Sequence, residues 1–378
     1  MSIGARFRQQ FERFSPGDPV CVRAPGRVNL IGEHTDYNDG FVLPVAIDRE
    51  TRVAFAAGGG SWRIASEQFP DEVEWRAGRL PSTRQDHWSD YVCGVLHELA
   101  GVMELPAGGL LRIESTIPGG AGLSSSAALE VAVARAVFAA AAVEPSGLEI
   151  ARLCRAAENR FVGAQCGIMD MLVSTTARAG HATWIDCRSE EARFVPLPEG
   201  VEIAMADSGV RHALAEGEYN LRRRECAEAC RLLEKERSDV QSLRAADETL
   251  VSAAGDRLGP LLLKRARHVV SENARVGRVV ALFERAAMSG VDEAFWTQMA
   301  EVFAASHASL RDDYEVSCVE LDDLVASALA EPGVHAARMT GGGFGGSIVA
   351  LRDAGVRLPG SNVRITTSVT TAPGASLL

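Results

Sequence analysis

Residues 118 to 142 read PGGAGLSSSAALEVAVARAVFAAAA, with three glycines and three serines ahead of an almost unbroken run of alanine, valine and leucine. A glycine-rich turn opening onto a helix leaves backbone N–H groups without partners, and the helix dipole adds partial positive charge where they point. The stretch therefore reads as a strand at Leu110–Ser115, a phosphate-seating turn, and a helix over Ser124–Ala142. The plainer account is a tight turn whose serines cap the helix, although three consecutive hydroxyls at Ser124, Ser125 and Ser126 exceed what one cap uses. In a P-loop the same device ends in Gly-Lys-Ser/Thr, and the lysine reaches the β and γ phosphates. Here no lysine follows, and the whole chain has only Lys235 and Lys264. Triphosphate charge would fall to amides, arginine and a metal, and any of the three hydroxyls could ligate Mg²⁺.

Outward from this loop, the chain is globular by composition: 378 residues, 47% apolar and 24% charged, without repeats or low-complexity tracts, enough for about two domains. A net charge of −11 argues against nucleic acid or an anionic membrane as partner, since both demand a basic face. The start, Met1–Arg6, lacks the apolar core of a signal peptide, and the longest apolar stretch, 127–143, is broken by Glu130 and Arg135. Eight cysteines without a C-x-x-C pair suit a reduced, cytoplasmic protein; Cys226 and Cys230, four apart on a helix, lack the second cluster a zinc site needs.

Strands are expected at Val20–Ala24, Phe41–Ile47 and Arg52–Ala56, and helices at Ala5–Phe14, Asp90–Leu99, Gly147–Phe161 and Met171–Ala179. Strands first and helices after predict an α+β protein. Punctuation at Leu197-Pro198-Glu199-Gly200 divides it into domains over 1–200 and 201–378. The second opens on a strand, Val201–Ala206, and continues with helices at Glu218–Glu236, Leu258–Ala287 and Asp292–Leu310.

Two further stretches could carry chemistry. APGRVNLIGEHTDYNDG, residues 24–40, places Glu33, His34 and Asp36 within four positions, the way a polyhydroxylated ligand would be read, or else forms a polar hairpin connection. CGIMDMLVS, residues 166–174, holds Asp170 as its single charge; it either caps a helix or is a buried carboxylate that asks for a cation or a substrate proton. Twelve residues upstream, Glu158 is either a solvated helix residue or a metal ligand. Gly341–Gly346 satisfies G-x-G-x-x-G, but a strand-like Ser347–Leu351 follows it where a dinucleotide fold needs a helix.

Taken together these residues resemble a known family. Gly26–Tyr37 is similar to the galactokinase signature, Gly120–Ala127 to the nucleotide loop of the wider GHMP kinases, and Met339–Gly346 to their third motif, in the family's order and spacing. The resemblance implies the two-domain GHMP kinase fold: an N-terminal domain like domain 2 of ribosomal protein S5, a C-terminal ferredoxin-like domain, and the site between them. It implies ATP-dependent phosphorylation of α-D-galactose at the C1 hydroxyl, yielding α-D-galactose 1-phosphate and ADP for the Leloir pathway, with ATP and Mg²⁺ required. By motif, Glu33, His34, Thr35 and Asp36, with Gly167 and Tyr219, fall to the sugar; Gly120, Ala121, Gly122, Leu123, Ser124, Ser125 and Ser126 to the triphosphate; Ser126 and Glu158 to Mg²⁺. Asp170 becomes the base for the anomeric hydroxyl and Arg27 its transition-state partner. Small-molecule substrates, no nucleic acid, no membrane and a monomeric state complete the expectation. Two positions depart from the family: Met171 stands where galactokinases usually have glutamine, and Arg352–Pro359 is too short for the usual helix. A kinase for N-acetylgalactosamine or L-arabinose is the alternative within the same chemistry. A galactose/ATP sensor is the alternative outside it, although sensor relatives lack the Ser-Ala pair present here at Ser126-Ala127.

Overall fold

The computed structural model describes residues 1–14, 17–76, 78–211, 215–353, 367–368 and 374–378. Val20–Asn29 is the organising strand, with its last six residues buried. It pairs antiparallel with Pro44–Ala57 on one side and with Ser376–Leu377 on the other, the register shifting between Pro25 and Arg27. The two strands expected at 41–47 and 52–56 are mostly one: Pro44–Ala57 runs through the charged Asp48-Arg49-Glu50 without a break. Glu50 accepts a hydrogen bond from Arg52 and lies 3.6 Å from Arg23, so its charge, between the two expected strands, is neutralised within the ladder. Gly109–Ser115, Ser61–Ser66 and Val73–Arg76 complete a six-stranded sheet, in which Ser61–Ser66 runs parallel to Gly109–Ser115.

Helices Asp90–Ala100, Ser125–Ala140, Gly147–Ala157 and Met169–Thr176 join this sheet in one apolar core, where Val22, Phe55, Leu96, Val131 and Leu172 are essentially inaccessible. A second, four-stranded sheet has the order Val334–Thr340, Gly345–Arg352, Glu202–Arg211, Thr367–Ser368, and the helices Ala215–Glu234, Gly255–Ser289, Glu293–Asp312 and Val319–Leu329 belong to its side of the molecule. The long helix starts earlier than expected and is interrupted at Gly259, whose φ is +67°, just before Pro260. A small third sheet joins Phe41–Val42, His181–Asp186 and Glu191–Pro196. Mixed layers of this kind make the chain α+β, as expected. A second core cluster packs Leu30, Ile31 and Val45 against Met205, Phe283, Phe303 and Val349, so the segment leading into residues 33–36 is gripped between the two sheets. Among the described residues no helix is long and apolar enough to cross a membrane.

Candidate active site

The glycine–serine turn forms where the sequence puts it, between Gly109–Ser115 and the helix Ser125–Ala140. Gly120 and Gly122 take φ of +69° and +74°, and Ser124 takes +58° without glycine's freedom. Ser124 occupies the N-cap position, yet its side chain makes no cap bond; the hydroxyl donates instead to Asp170 Oδ2. The first-turn amides are thereby left without a side-chain partner, the condition for holding an anion. A left-handed non-glycine residue costs of order 1 kcal/mol and tends to persist where function requires it. The turn is docked onto the first strand: the Arg27 N–H donates to the Leu123 carbonyl at 3.2 Å, and a Cβ on Gly26 would stand 2.7 Å from that carbonyl oxygen.

Arg27, 6% exposed, holds the centre together. Its Nε and Nη2 donate to Asp170 Oδ1 and Oδ2 at 2.8 and 2.7 Å, and its Nη1 donates to the Gly122 carbonyl at 2.6 Å. Asp170 is no helix cap: the helix begins at Met169 with Ile168 as its uncapped N-cap, and the carboxylate lies within the first turn, where the dipole favours negative charge. Oδ2 receives two donors and Oδ1 one, so Oδ1 keeps the lone pair for a further hydrogen.

A cavity of about 320 Å³ opens beside this pair, lined by Glu33, His34, Asp36, Gly167, Asp170 and Tyr219 among others. Gly167 is a matter of space: a Cβ there would meet Asp36 Oδ2 at 2.1 Å. Burial, reinforced by the Asp170 charge, pushes the Asp36 carboxyl up to about 6. Glu33 lines the cavity but spends its oxygens elsewhere, accepting from Arg338, from Thr340 Oγ1 at 2.9 Å and from the Gly341 N–H at 3.2 Å. Thr35 is fully buried and lines neither cavity; its hydroxyl, between the Gly32 and Phe41 carbonyls at 2.7 and 2.6 Å, braces the turn. His34 has φ of +62°, and its Nδ1 lies 2.7 Å from the Tyr37 hydroxyl; burial first, then the charges of His268 and Arg222, drop its pKa to about 3. Tyr219, from the helix Ala215–Glu234, has its ring 5.6 Å from that of His34.

The second cavity, about 560 Å³, runs along the glycine loop and Ser124–Ser126 to Phe69 and Trp88, whose rings stack at 5.1 Å and 2°. Leu123 lines it, whereas Ala121 is buried and offers its carbonyl to Ser347 Oγ at 2.8 Å. Ser126 Oγ donates to Glu158 Oε1 at 3.4 Å. Glu158 does not sit in a regular helix interior, because the α-helix ends at Ala157 and a π-helical turn, Glu158–Val162, turns the carboxyl inward. Burial, and then Asp170, raises it to about 7. Phe69 and Trp88 had no motif to announce them, being single aromatics on connecting segments. The two cavities share Arg27, Tyr91, Asp170, Gly341 and Gly342. Among the described residues lining them Arg27 is the one basic side chain, against Glu33, Asp36, Glu158 and Asp170. Gly341–Gly346 links the antiparallel strands Val334–Thr340 and Gly345–Arg352, and no helix follows it.

Residues 5–57 match the galactokinase galactose-binding signature, 90–178 the N-terminal domain of GHMP kinases and 287–355 their C-terminal domain. A galactokinase of Chloroflexus aggregans is 47% identical over 347 residues, covering 91% of this chain and 87% of that protein, and one of Chloroflexus aurantiacus is 46% identical over 344. This chain belongs to the galactokinase family. The crystal structure of Lactococcus lactis galactokinase complexed with galactose superposes with a TM-score of 0.88 at 31% identity, over the whole of both chains. A Methanococcus jannaschii mevalonate kinase, 15% identical with a TM-score of 0.62 over 89% of this chain and 92% of that one, shares the fold. The fold is thus the two-domain GHMP kinase architecture.

Of the two departures from the galactokinase pattern, Met171 is fully buried in the first apolar core and lines neither cavity. The substitution of methionine for the family's usual glutamine thus falls in the apolar core next to Asp170 and not on the wall of either cavity. The short segment after Leu351 lies outside the described residues from 354 onward.

Proposed function

We infer that the chain transfers the γ-phosphoryl group of ATP to the C1 hydroxyl of α-D-galactose, giving α-D-galactose 1-phosphate and ADP. The observation that carries this is the meeting of the two cavities on the Arg27–Asp170 pair: a small one rich in hydrogen-bonding carboxylates and a larger one running along an amide-lined helix start. Asp170 Oδ1 accepts the proton of the sugar hydroxyl as the O1–P bond forms and the bond to the ADP oxygen breaks. Arg27 orients that carboxylate by two hydrogen bonds and puts a fixed positive charge beside the transferred group. The loop and first-turn amides of residues 120–126 receive the phosphates, and Asp36, with room provided by Gly167, accepts hydrogen bonds from sugar hydroxyls.

Ser126 and Glu158 supply one hydroxyl and one carboxylate, the hard oxygen set that suits Mg²⁺ when the phosphates and water complete its shell. Bound there, Mg²⁺ would neutralise phosphate charge that a single arginine, facing four carboxylates, leaves uncompensated. We further take the domains to divide at 200/201 and the enzyme to be a cytoplasmic monomer.

Following ATP consumption across galactose, glucose, N-acetylgalactosamine, L-arabinose and mevalonate tests the reading. Galactose should be turned over at least tenfold more efficiently than the rest. A preference for N-acetylgalactosamine or L-arabinose would reassign the sugar, and binding of sugar and ATP without turnover would indicate a sensor.

A further inference from the structure

The short turn that carries Asp36 is closed by groups that line neither cavity. Asp36–Asn38 is a single 3₁₀ turn, and Asp39 follows it with φ of +58°, a left-handed conformation that a non-glycine residue keeps only where its surroundings hold it. The backbone beyond it is bound piece by piece. The Gly40 N–H donates to the Thr35 carbonyl at 2.8 Å, and the Gly40 carbonyl accepts from the Cys187 N–H at 2.9 Å. The Phe41 N–H donates to Asn273 Oδ1 at 2.8 Å, and the Asp39 carbonyl accepts from Arg244 Nη1 at 3.3 Å.

Arg244 reaches this turn from the other side of the molecule. It belongs to the short helical turn Leu243–Ala245, whose Leu243 is buried with Ala204 and Ile348 in the core of the second sheet. Both of its terminal nitrogens donate to the Asp186 carboxylate, Nη2 at 2.7 Å, and its guanidinium lies 4.2 Å from the centre of the Phe41 ring. Asp186 and Phe41 are themselves partners across the small third sheet. Asp186 Oδ1 also accepts from the Arg188 N–H at 2.9 Å, and Arg188 Nη2 donates to Ser242 Oγ at 2.7 Å. Two arginines therefore cross between the segments 186–188 and 242–244, one from each. The Arg244 and Asp186 side chains are 19% and 13% exposed, so the pair is shielded from water, and a fork on a carboxylate fixes orientation as well as distance.

We propose that Arg244 is a positioning residue for the sugar: held on Asp186, it fixes Asp39 and Phe41, and through them the place of the Asp36 carboxylate in the cavity. The proposal rests on Asp36 holding galactose, as inferred above. Arg244 and Asp186 line neither cavity, so any effect on the sugar passes through the turn. Asp36 has little room in which to slip, because its Oδ2 packs so closely on Gly167 that a Cβ there would stand 2.1 Å from it. Displacement of the turn drives the carboxylate against residue 167 or draws it away from the sugar. The glycine loop and Ser124–Ser126 line the other cavity, so the nucleotide is spared.

Steady-state kinetics and hydrogen exchange on the intact enzyme test the proposal. Arg244→Met, which keeps an apolar stem over Phe41 and removes the fork, should raise KM for galactose about tenfold, with kcat and KM for ATP within about twofold. Without sugar, amides over residues 35–42 should exchange about tenfold faster, while those of the glycine loop are unchanged. Arg244→Lys keeps the charge but cannot hold both carboxylate oxygens and the Asp39 carbonyl together, and should raise KM for galactose about threefold. In an Asp36→Ala background, Arg244→Met should cost less than about twofold more, since the group it places is gone. A wild-type KM for galactose in Arg244→Met, or equal losses for galactose and ATP, would overturn the proposal, as would a raised KM with unchanged exchange over 35–42. Should Arg244→Met not fold, Arg244→Lys and Asp186→Asn carry the same comparison. If Asp36→Ala leaves galactose kinetics unmoved, the reading of the cavity fails and the proposal falls with it. If Asp36→Ala loses galactose while Arg244→Met does not, the proposal alone fails.

Discussion

Gly167→Ala should abolish most of the enzyme's hold on galactose without adding, removing or replacing a polar group. A Cβ on residue 167 would stand 2.1 Å from Asp36 Oδ2, 2.6 Å from Cγ and 2.9 Å from Cβ. Reaching ordinary contact requires the carboxylate to retreat by about 1.3 Å, beyond the tolerance of a hydrogen bond. Asp36 is bordered by the cavity, so it can move, and the strain is relieved by displacing the side chain rather than by unfolding the turn. The cost falls on binding. A charge-assisted hydrogen bond contributes roughly 1.5–3 kcal/mol, so kcat/KM for galactose should drop about ten- to a hundredfold, while KM for ATP stays within about twofold. The melting temperature should fall by no more than about 4 °C, the shift that roughly 1 kcal/mol produces in a chain of this size. Asp36→Ala should show the same selective loss, and adding Gly167→Ala to it should cost less than about threefold more, because the displaced oxygens are gone. Steady-state kinetics against each substrate, with thermal melts, decide the matter. Unchanged galactose kinetics in Gly167→Ala, or equal losses for sugar and ATP, would show that Asp36 does not hold the sugar.

Asp170→Asn should lower kcat by at least ~10²-fold, the low end for losing a positioned general base, with both ligands still bound; turnover within threefold of wild type would leave Asp170 a structural partner of Arg27 and no more. Ser126→Ala and Glu158→Gln should each raise the Mg²⁺ concentration for half-maximal rate while sugar affinity barely moves, and unchanged Mg²⁺ titrations in both would put the metal on other residues. The pH profile is also set. Asp36, raised to about 6, accepts charge-assisted hydrogen bonds through both oxygens only when ionised, and protonation turns one of them into a donor. At saturating ATP and Mg²⁺, kcat/KM for galactose should therefore be level above about pH 7 and fall about tenfold per unit below pH 6, the acid limb attributable to Asp36 disappearing in Asp36→Asn. A flat wild-type profile between pH 5 and 7 would contradict it.

How much of this was legible in the residues differs from element to element, for physical reasons. The strand, glycine turn and apolar helix over 109–140 were readable because local chemistry dictates them: glycines supply positive φ, and a run of helix formers with an apolar surface has one place to go. The single charge of Asp170 in an apolar run and the dense polar cluster at 33–36 announced themselves by contrast with their surroundings. Strands Ser61–Ser66, His181–Asp186 and Val334–Thr340 were not expected, since each mixes polar and apolar residues without clean alternation and owes its conformation to the neighbour it pairs with.

The sequence by itself thus determined which groups the site would contain: an amide-rich turn without lysine, one aspartate alone in an apolar run, and a cluster of polar side chains in a single short segment. Tertiary structure alone decided what each of them does. Arg27 and Asp170 are 143 positions apart, and only the docking of a helix start on the edge of the first strand makes them a bidentate pair. Ser124 looks like a cap, and becomes a ligand of Asp170 because the left-handed backbone turns its hydroxyl away from the helix it precedes. Glu33 looks like a sugar contact, and is held by Arg338, 305 positions away, because a buried carboxylate is stabilised by the nearest buried guanidinium. Propensity and pattern act over a few residues, whereas these partnerships are set by which surfaces the two sheets bury against each other.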